Sequence, residues 1–170
     1  MAEKLAKWFV GIFGGITGTL FGKYLVIFII SMIPILELRG GLIAASLLDL
    51  PMWMSYLICF IGNIIPIPFI LWLINPVFRW MSKRKRLGKI VKWCEDKANS
   101  KKDKIERLKY IGLYLFVAIP LPGTGAWTGC LIAALLNLDK KKSLIAAILG
   151  VITAGLIMLL VSYGILGKVF

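Results

Sequence analysis

The chain has 170 residues, 59% of them hydrophobic, with a mean hydropathy of +0.87, so several runs are too apolar for a water-soluble core and the composition is that of a helical integral membrane protein. It has no histidine, and its three cysteines, Cys59, Cys94 and Cys130, are scattered, which argues against a disulfide framework, a His/Cys metal site, any cofactor held by such ligands, and a histidine-dependent hydrolase. A formal charge of +13 would indicate nucleic acid in a soluble chain. Here the excess sits beside apolar segments, where lysine and arginine retain loops on the cytoplasmic side, so no nucleic-acid partner is expected.

The chain reads as two halves. Residues 4–8 resemble 89–93, Lys23-Tyr24 matches Lys109-Tyr110, and Ile33-Pro34 matches Ile119-Pro120, all at a shift of about 86. Further on the shift becomes 88 to 89: residues 42–45 recur as 131–134, Ser55 as Ser143 and Gly62 as Gly150. Weak internal similarity of this kind marks many transporter folds. Each half then comprises a flanking helix, a broken apolar segment and a whole apolar segment, at 3–22, 23–49 and 52–74 and again at 83–108, 109–138 and 143–164.

The first flanking segment carries Gly11, Gly14, Gly15, Gly18 and Gly22, overlapping G-x-x-x-G spacings that let helix backbones approach closely, either within this chain or in a homodimer. The sequence leaves open whether 3–22 crosses the bilayer or lies at its outer surface.

The first broken segment places Glu37 and Arg39 two residues apart inside roughly 25 otherwise apolar residues. An ionised side chain in hydrocarbon costs about 2.5–3.5 kcal/mol on insertion scales, and such charges are found on substrate or ion pathways. Pro34 removes a backbone donor and Gly40-Gly41 weakens the helix, so the segment is expected to fold back near Glu37 instead of crossing as one rod. In the whole segment 52–74, Pro66 and Pro68 should impose a kink, and Asn63 is a weaker polar candidate that usually serves helix packing. Trp53, Trp72 and Trp80 fall where interfacial anchors belong.

Residues 77–109 hold thirteen lysines and arginines against four acids, so this linker is expected on the cytoplasmic side, with 83–108 lying on anionic lipid as an amphipathic helix. Lys140-Lys141-Lys142 should be cytoplasmic as well. A straight crossing of 109–138 would separate those two clusters; a re-entrant hairpin keeps both inside and leaves the charge-poor 49–51 outside.

The second broken segment contains Pro120, Pro122, Gly123, Thr124, Gly125, Trp127, Thr128 and Gly129. Two prolines and three glycines in so short a run stop a helix and free backbone amides. With the Thr124 and Thr128 hydroxyls and the start of the next helix, those amides are a candidate anion-binding nest. Trp127 could wall the site or hold a cation on its ring face. Glu37 is the candidate proton- or cation-responsive group and Arg39 the candidate phosphate ligand.

The expected fold is therefore an all-α integral membrane protein, an inverted repeat of two units, each a flanking helix, a re-entrant hairpin and a transmembrane helix. It forms a single membrane domain over 1–170, with repeat 1 at about 3–76, the basic linker at about 77–108 and the core of repeat 2 at about 109–166.

On Glu37, Arg39, Gly40 and Gly41 in the first loop, and Pro120, Pro122, Gly123, Thr124, Gly125, Trp127 and Gly129 in the second, the chain resembles the small multidrug export protein family, a compact branch related to the DedA superfamily. The resemblance implies a prokaryotic inner-membrane protein with two inverted re-entrant hairpins, whose relatives are associated with proton-driven movement of lipid-linked phosphates or lipids. This chain departs from DedA proteins in having no arginine or acid in its second loop.

The reading that follows is a secondary transporter or flippase for a polyprenyl-phosphate-like lipid or other amphipathic anion, proton-coupled through Glu37. Its partners would be membrane lipids. A lipophilic-cation exporter is the alternative within transport, and a non-transporting, lipid-organising membrane protein the alternative outside it. An enzyme is not expected, because one isolated acid without histidine or a metal cluster leaves little for catalysis.

Overall fold

The computed structural model describes residues 17–82 and 109–165 except Pro122, with isolated positions among the first fifteen residues and at Lys92 and Asp96. Among the described residues the structure is helical, without strands. The flanking segment 83–108 therefore lies almost wholly outside the described residues, as does much of 3–22.

α1 (Leu20–Met32) begins where the Thr19 hydroxyl accepts from Gly22 N at 3.1 Å, and it stops where proline forbids its continuation. Ile33 leaves the helix at φ −76°, ψ 130°, the extended conformation that a following proline imposes. The chain reverses over 33–36, with the amides of Leu36 and Glu37 both donating to Ile33 O at 3.1 and 2.9 Å. α2 (Glu37–Leu47) then runs back along α1, so that Lys23 Nζ, near the start of α1, donates to Leu48 O just past the end of α2 at 2.9 Å. α5 (Lys109–Ala118) and α6 (Ala126–Leu135) repeat the arrangement; Tyr110, at the start of α5, accepts on its hydroxyl from Asp139 N beyond α6 at 3.3 Å. Both broken segments are helical hairpins.

The hairpins end alike. α2 closes with Asp49 at φ 54° and Leu50 N donating to Ala45 O at 3.1 Å; α6 closes with Asn137 at φ 54° and Leu138 N donating to Ala133 O at 3.0 Å. Each is a Schellman-type cap built on a left-handed Asp or Asn, side chains that tolerate that conformation. The two caps are offset by 88 residues.

α3 (Met52–Ile64) and α4 (Pro66–Ser82) are one helical run interrupted at Ile65, where Pro66 and Pro68 supply no amide donors, as the sequence leads one to expect. The run does not stop at 76. α4 passes through Pro76 and ends at Ser82, inside the stretch assigned to the linker, because the exposed apolar stripe of Phe69, Leu73, Val77 and Trp80 keeps helical spacing across the proline. α7 (Lys140–Leu159) is capped by Asp139, whose side chain accepts from Lys142 N at 2.9 Å, and continues as a π-helical stretch, Leu160–Ile165.

α7 relates the two hairpins. It starts beside the base of the second and finishes beside the base of the first, where Tyr163 Oη donates to Leu50 O at 3.1 Å and Ser46 Oγ donates to Ser162 O at 3.0 Å. From 140 to 162 a helix rises about 33 Å, so the hairpin bases stand that far apart and the tips point at each other. Segments Met52–Ile74 and Lys140–Gly164 are long and apolar enough to cross a membrane. α3 packs on α1 and α7 on α5 through glycine: a Cβ at Gly62 would stand 2.8 Å from Phe28 O, and one at Gly150 would stand 2.7 Å from Val117 Cβ and 3.0 Å from Tyr114 O. Ile27, Ile30, Leu38, Leu42, Leu113 and Ile132 are fully buried between these helices.

Candidate functional site

The two tips meet through the acid and the base of the first hairpin. Glu37 opens α2 in a left-handed conformation, φ 52°, which costs a non-glycine residue roughly 1–2 kcal/mol. Residues so placed persist where their surroundings over-determine them. Here the carboxylate, on a side chain only 5% exposed, accepts from Ala126 N at 3.1 Å on Oε2 and from Trp127 N at 3.0 Å on Oε1. Those are the first two amides of α6, which have no partner within their own helix, and the helix dipole favours negative charge at that end. Hydrogen bonds to a charged group contribute about 1.5–3 kcal/mol each, enough to offset the backbone conformation of Glu37.

Gly125 makes the contact possible. It precedes α6 at φ 138°, a conformation disfavoured for other residues, and a Cβ there would overlap the Glu37 carboxylate.

Arg39 serves the other strand of the same tip. Nη1 donates to Leu121 O at 2.7 Å, while Nη2 lies 3.2 Å from Thr124 Oγ1, 3.3 Å from Ile119 O and 3.4 Å from Val117 O. Pro120 breaks the helix that α5 would otherwise continue and so denies these carbonyls their usual i+4 amide partners; Ile119 O accepts instead from Leu121 N at 2.8 Å and Leu121 O from Thr124 N at 3.2 Å, and Arg39 adds a charged donor to each. Thr124 Oγ1 lies 2.8 Å from Ile119 O and 2.7 Å from Leu121 O, either of which can take its proton, and accepts from Leu121 N at 3.3 Å. Glu37 thus holds the beginning of α6 and Arg39 the end of α5, each with separate partners instead of each other.

Asn63, 2% exposed on α3, joins them. Together with Glu37, Arg39, Val117, Val151 and Ala154 it lines a cavity of about 10 Å³, room for about one water. Arg39 Nε and Asn63 Oδ1 are buried without a protein partner. Trp127 also lines an apolar groove of about 460 Å³, together with Met32, Pro66, Phe69, Leu73 and Val77 among others. Trp127 therefore both lines this groove and supplies an amide to Glu37.

Of the residues singled out in the sequence, the structure gathers Glu37, Arg39, Asn63, Thr124, Gly125 and Trp127. Thr128 lies half-buried in the first turn of α6, Pro120 and Gly123 (φ 79°) shape the loop, and Pro122 lies outside the described residues. Gly40 and Gly41 face elsewhere: a Cβ at 40 would stand 2.7 Å from Leu36 Cβ, and one at 41 would overlap Ser31 Oγ and approach Cys59 Sγ at 2.7 Å. They let α2 pack against its own hairpin and α3. The sequence reading offered an anion-binding nest made of the loop amides, the Thr124 and Thr128 hydroxyls and the start of the next helix; in the fold the first two amides of that helix, Ala126 N and Trp127 N, hold an anion, and the anion is the chain's own Glu37. Nothing in the residue types at Val117, Ile119 or Leu121 announces their carbonyls as arginine partners; the nearby prolines were the available signal.

A family model described as "Putative small multi-drug export protein" matches residues 37–157, more than two thirds of the chain. No curated protein and no solved structure matches it.

Proposed function

Because the chain belongs to the small multi-drug export protein family, we propose that it is a membrane transporter whose gate is the joint between the two hairpin tips, latched by Glu37 and Arg39. The observation that carries this reading is the Glu37 carboxylate seated on the Ala126 and Trp127 amides. A site that already binds a carboxylate from the partner hairpin can exchange it for an anionic group of a substrate, and that exchange separates the tips.

Several features support the setting. α1, α2, α5 and α6 have 10 to 13 residues, about 15–20 Å each, half of a bilayer's hydrocarbon core. The hairpins approach from opposite ends of α7, with equivalent caps offset by 88 residues, which favours an inverted repeat of re-entrant hairpins with the latch near the midplane of a prokaryotic inner membrane. The lysines at 140–142 would then lie on the cytoplasmic face with the linker 77–109, and Asp49 on the other. Large apolar side chains exposed along α3, α4 and α7, among them Leu57, Ile61, Phe69, Ile145 and Leu149, would face lipid. The groove beside Trp127 suits the apolar part of an amphipathic substrate and the amides its anionic part, a combination found in lipid-linked phosphates. Movement through such a gate alters no covalent bond, so the protein acts as a carrier and not as an enzyme.

The second reading, export of lipophilic cations, draws on the same groove and on the family's description, with Glu37 as the counter-ion. Transport in proteoliposomes decides. Glu37→Gln and Arg39→Ala are each expected to abolish flux in protein that remains folded and inserted. Competition by amphipathic phosphates supports the anion reading, and competition by lipophilic cations alone supports the second. Unchanged flux in both variants removes the latch from the mechanism.

A further inference from the structure

A second groove lies at the lysine-bearing end of the molecule, about 15 Å along α5 from the latch. It runs between α5 and α7, measures about 370 Å³, and is lined by Tyr110, Tyr114, Lys142, Ile145, Ala146 and Leu149 among others. Its wall is apolar and open: Ile145 is 59% and Leu149 51% exposed. Its end is cationic. The Lys142 ammonium sits 5.8 Å from the centroid of the Tyr110 ring, a geometry that steadies the charge over an aromatic face at the mouth of the groove. Lys109 begins α5, and Lys140 and Lys141, both exposed, begin α7 with it. Among the described residues the acid at this end is Asp139, which has a carboxylate oxygen engaged by the amide of Lys142, so among them the lysines are in excess.

We propose that this groove is a binding site for one anionic phospholipid, with an acyl chain along Ile145 and Leu149 and its phosphate at Lys142. The charge pattern selects that occupant. A zwitterionic lipid would fill the apolar wall but bring no net charge to the lysines. A soluble phosphate would meet the lysines but leave Ile145 and Leu149 uncovered. The lipid would tie the base of the second hairpin to the start of α7, the pair that Tyr110 and Asp139 already join at 3.3 Å, and so fix the frame against which the tips move. The site rests on the membrane reading above but not on the latch, since neither Glu37 nor Arg39 touches it.

The test uses the full chain purified in a neutral detergent and titrated with phosphatidylglycerol or phosphatidylcholine of identical acyl chains, with bound lipid counted by native mass spectrometry. One phosphatidylglycerol is expected to be retained in preference to phosphatidylcholine. Lys142→Gln should weaken it about five-fold, the equivalent of roughly 1 kcal/mol for one basic residue, while Lys142→Arg keeps it. Ile145→Trp, a change at an exposed position that fills the groove, should remove it. Equal retention of the two lipids, or unchanged phosphatidylglycerol binding in both Lys142→Gln and Ile145→Trp, overturns the site. Membrane fractionation of the producing cells separates the two ideas: protein in the membrane fraction without lipid preference contradicts the site alone, and protein in the soluble fraction contradicts the membrane reading with it.

Discussion

Replacing Glu37 by glutamine changes the shape of one side chain very little and its hydrogen bonding a great deal. The carboxylate offers an acceptor to each of two adjacent amides, Ala126 N at 3.1 Å and Trp127 N at 3.0 Å. Glutamine offers one acceptor, and turns an NH₂ toward the second amide. One charge-assisted hydrogen bond is lost, about 1.5–3 kcal/mol, together with the favourable charge at the start of α6, about 0.3–1 kcal/mol or somewhat more when buried. The expected destabilisation is therefore about 2–4 kcal/mol, which for a chain of this size corresponds to a melting shift of roughly 4–16 °C. Cys59 and Cys130 are both fully buried, so a thiol-reactive fluorophore reports their exposure as the detergent-solubilised protein unfolds. A glutamine variant melting within a degree of the parent would refute the latch, because it would show that the two amides are satisfied equally well without a carboxylate.

Arg39→Lys keeps the charge and loses the fork. An ammonium has three donors on a single nitrogen and does not reproduce the guanidinium's planar pair, in which Nη1 reaches Leu121 O while Nη2 reaches Ile119 O and Thr124 Oγ1, so we expect a loss of about 1–3 kcal/mol in the same melting assay and impaired flux. A wild-type profile would show that charge alone matters at this position. Gly125→Ala places a Cβ against the Glu37 carboxylate at φ 138° and should destabilise by about 3–5 kcal/mol, part backbone and part lost hydrogen bond. If it acts through Glu37, its effect shrinks to about 1–2 kcal/mol in a Glu37→Ala background; full additivity in that double-mutant cycle would mean that the glycine serves the loop and not the latch.

How much of this was legible in the sequence depends on whether the determinant was local. Pro34 ends α1 by fixing the conformation of its predecessor, and Pro120 ends α5, so both hairpins follow from residues visible in a single reading. Some positions that the sequence pairs at shifts of about 86 and 88 to 89 stand in similar surroundings: Ser55 and Ser143 are both fully buried, and a Cβ at Gly62 or Gly150 would meet Phe28 O or Tyr114 O. Glu37 and Arg39 stood out because charge in an apolar stretch is costly. Their partners did not, since backbone amides and carbonyls look the same at every residue, and only the docking of one tip on the other decides that Ala126 and Trp127 serve Glu37. Gly40 and Gly41 were conspicuous for flexibility, whereas in the fold they provide closeness, to Leu36, Ser31 and Cys59. α4 runs on beyond 74 to Ser82, because the apolar stripe through Val77 and Trp80 carries the helix past Pro76.

The claim on which all of this depends is that the hairpins approach each other from opposite sides of the membrane. Single cysteines introduced as Asp49→Cys and Lys141→Cys, both at exposed positions, in a background with Cys59, Cys94 and Cys130 replaced by alanine, measure it directly when intact cells are treated with a membrane-impermeant maleimide. The account predicts labelling at 49 from outside and at 141 only after the cells are opened. Labelling of both from the same side would contradict it.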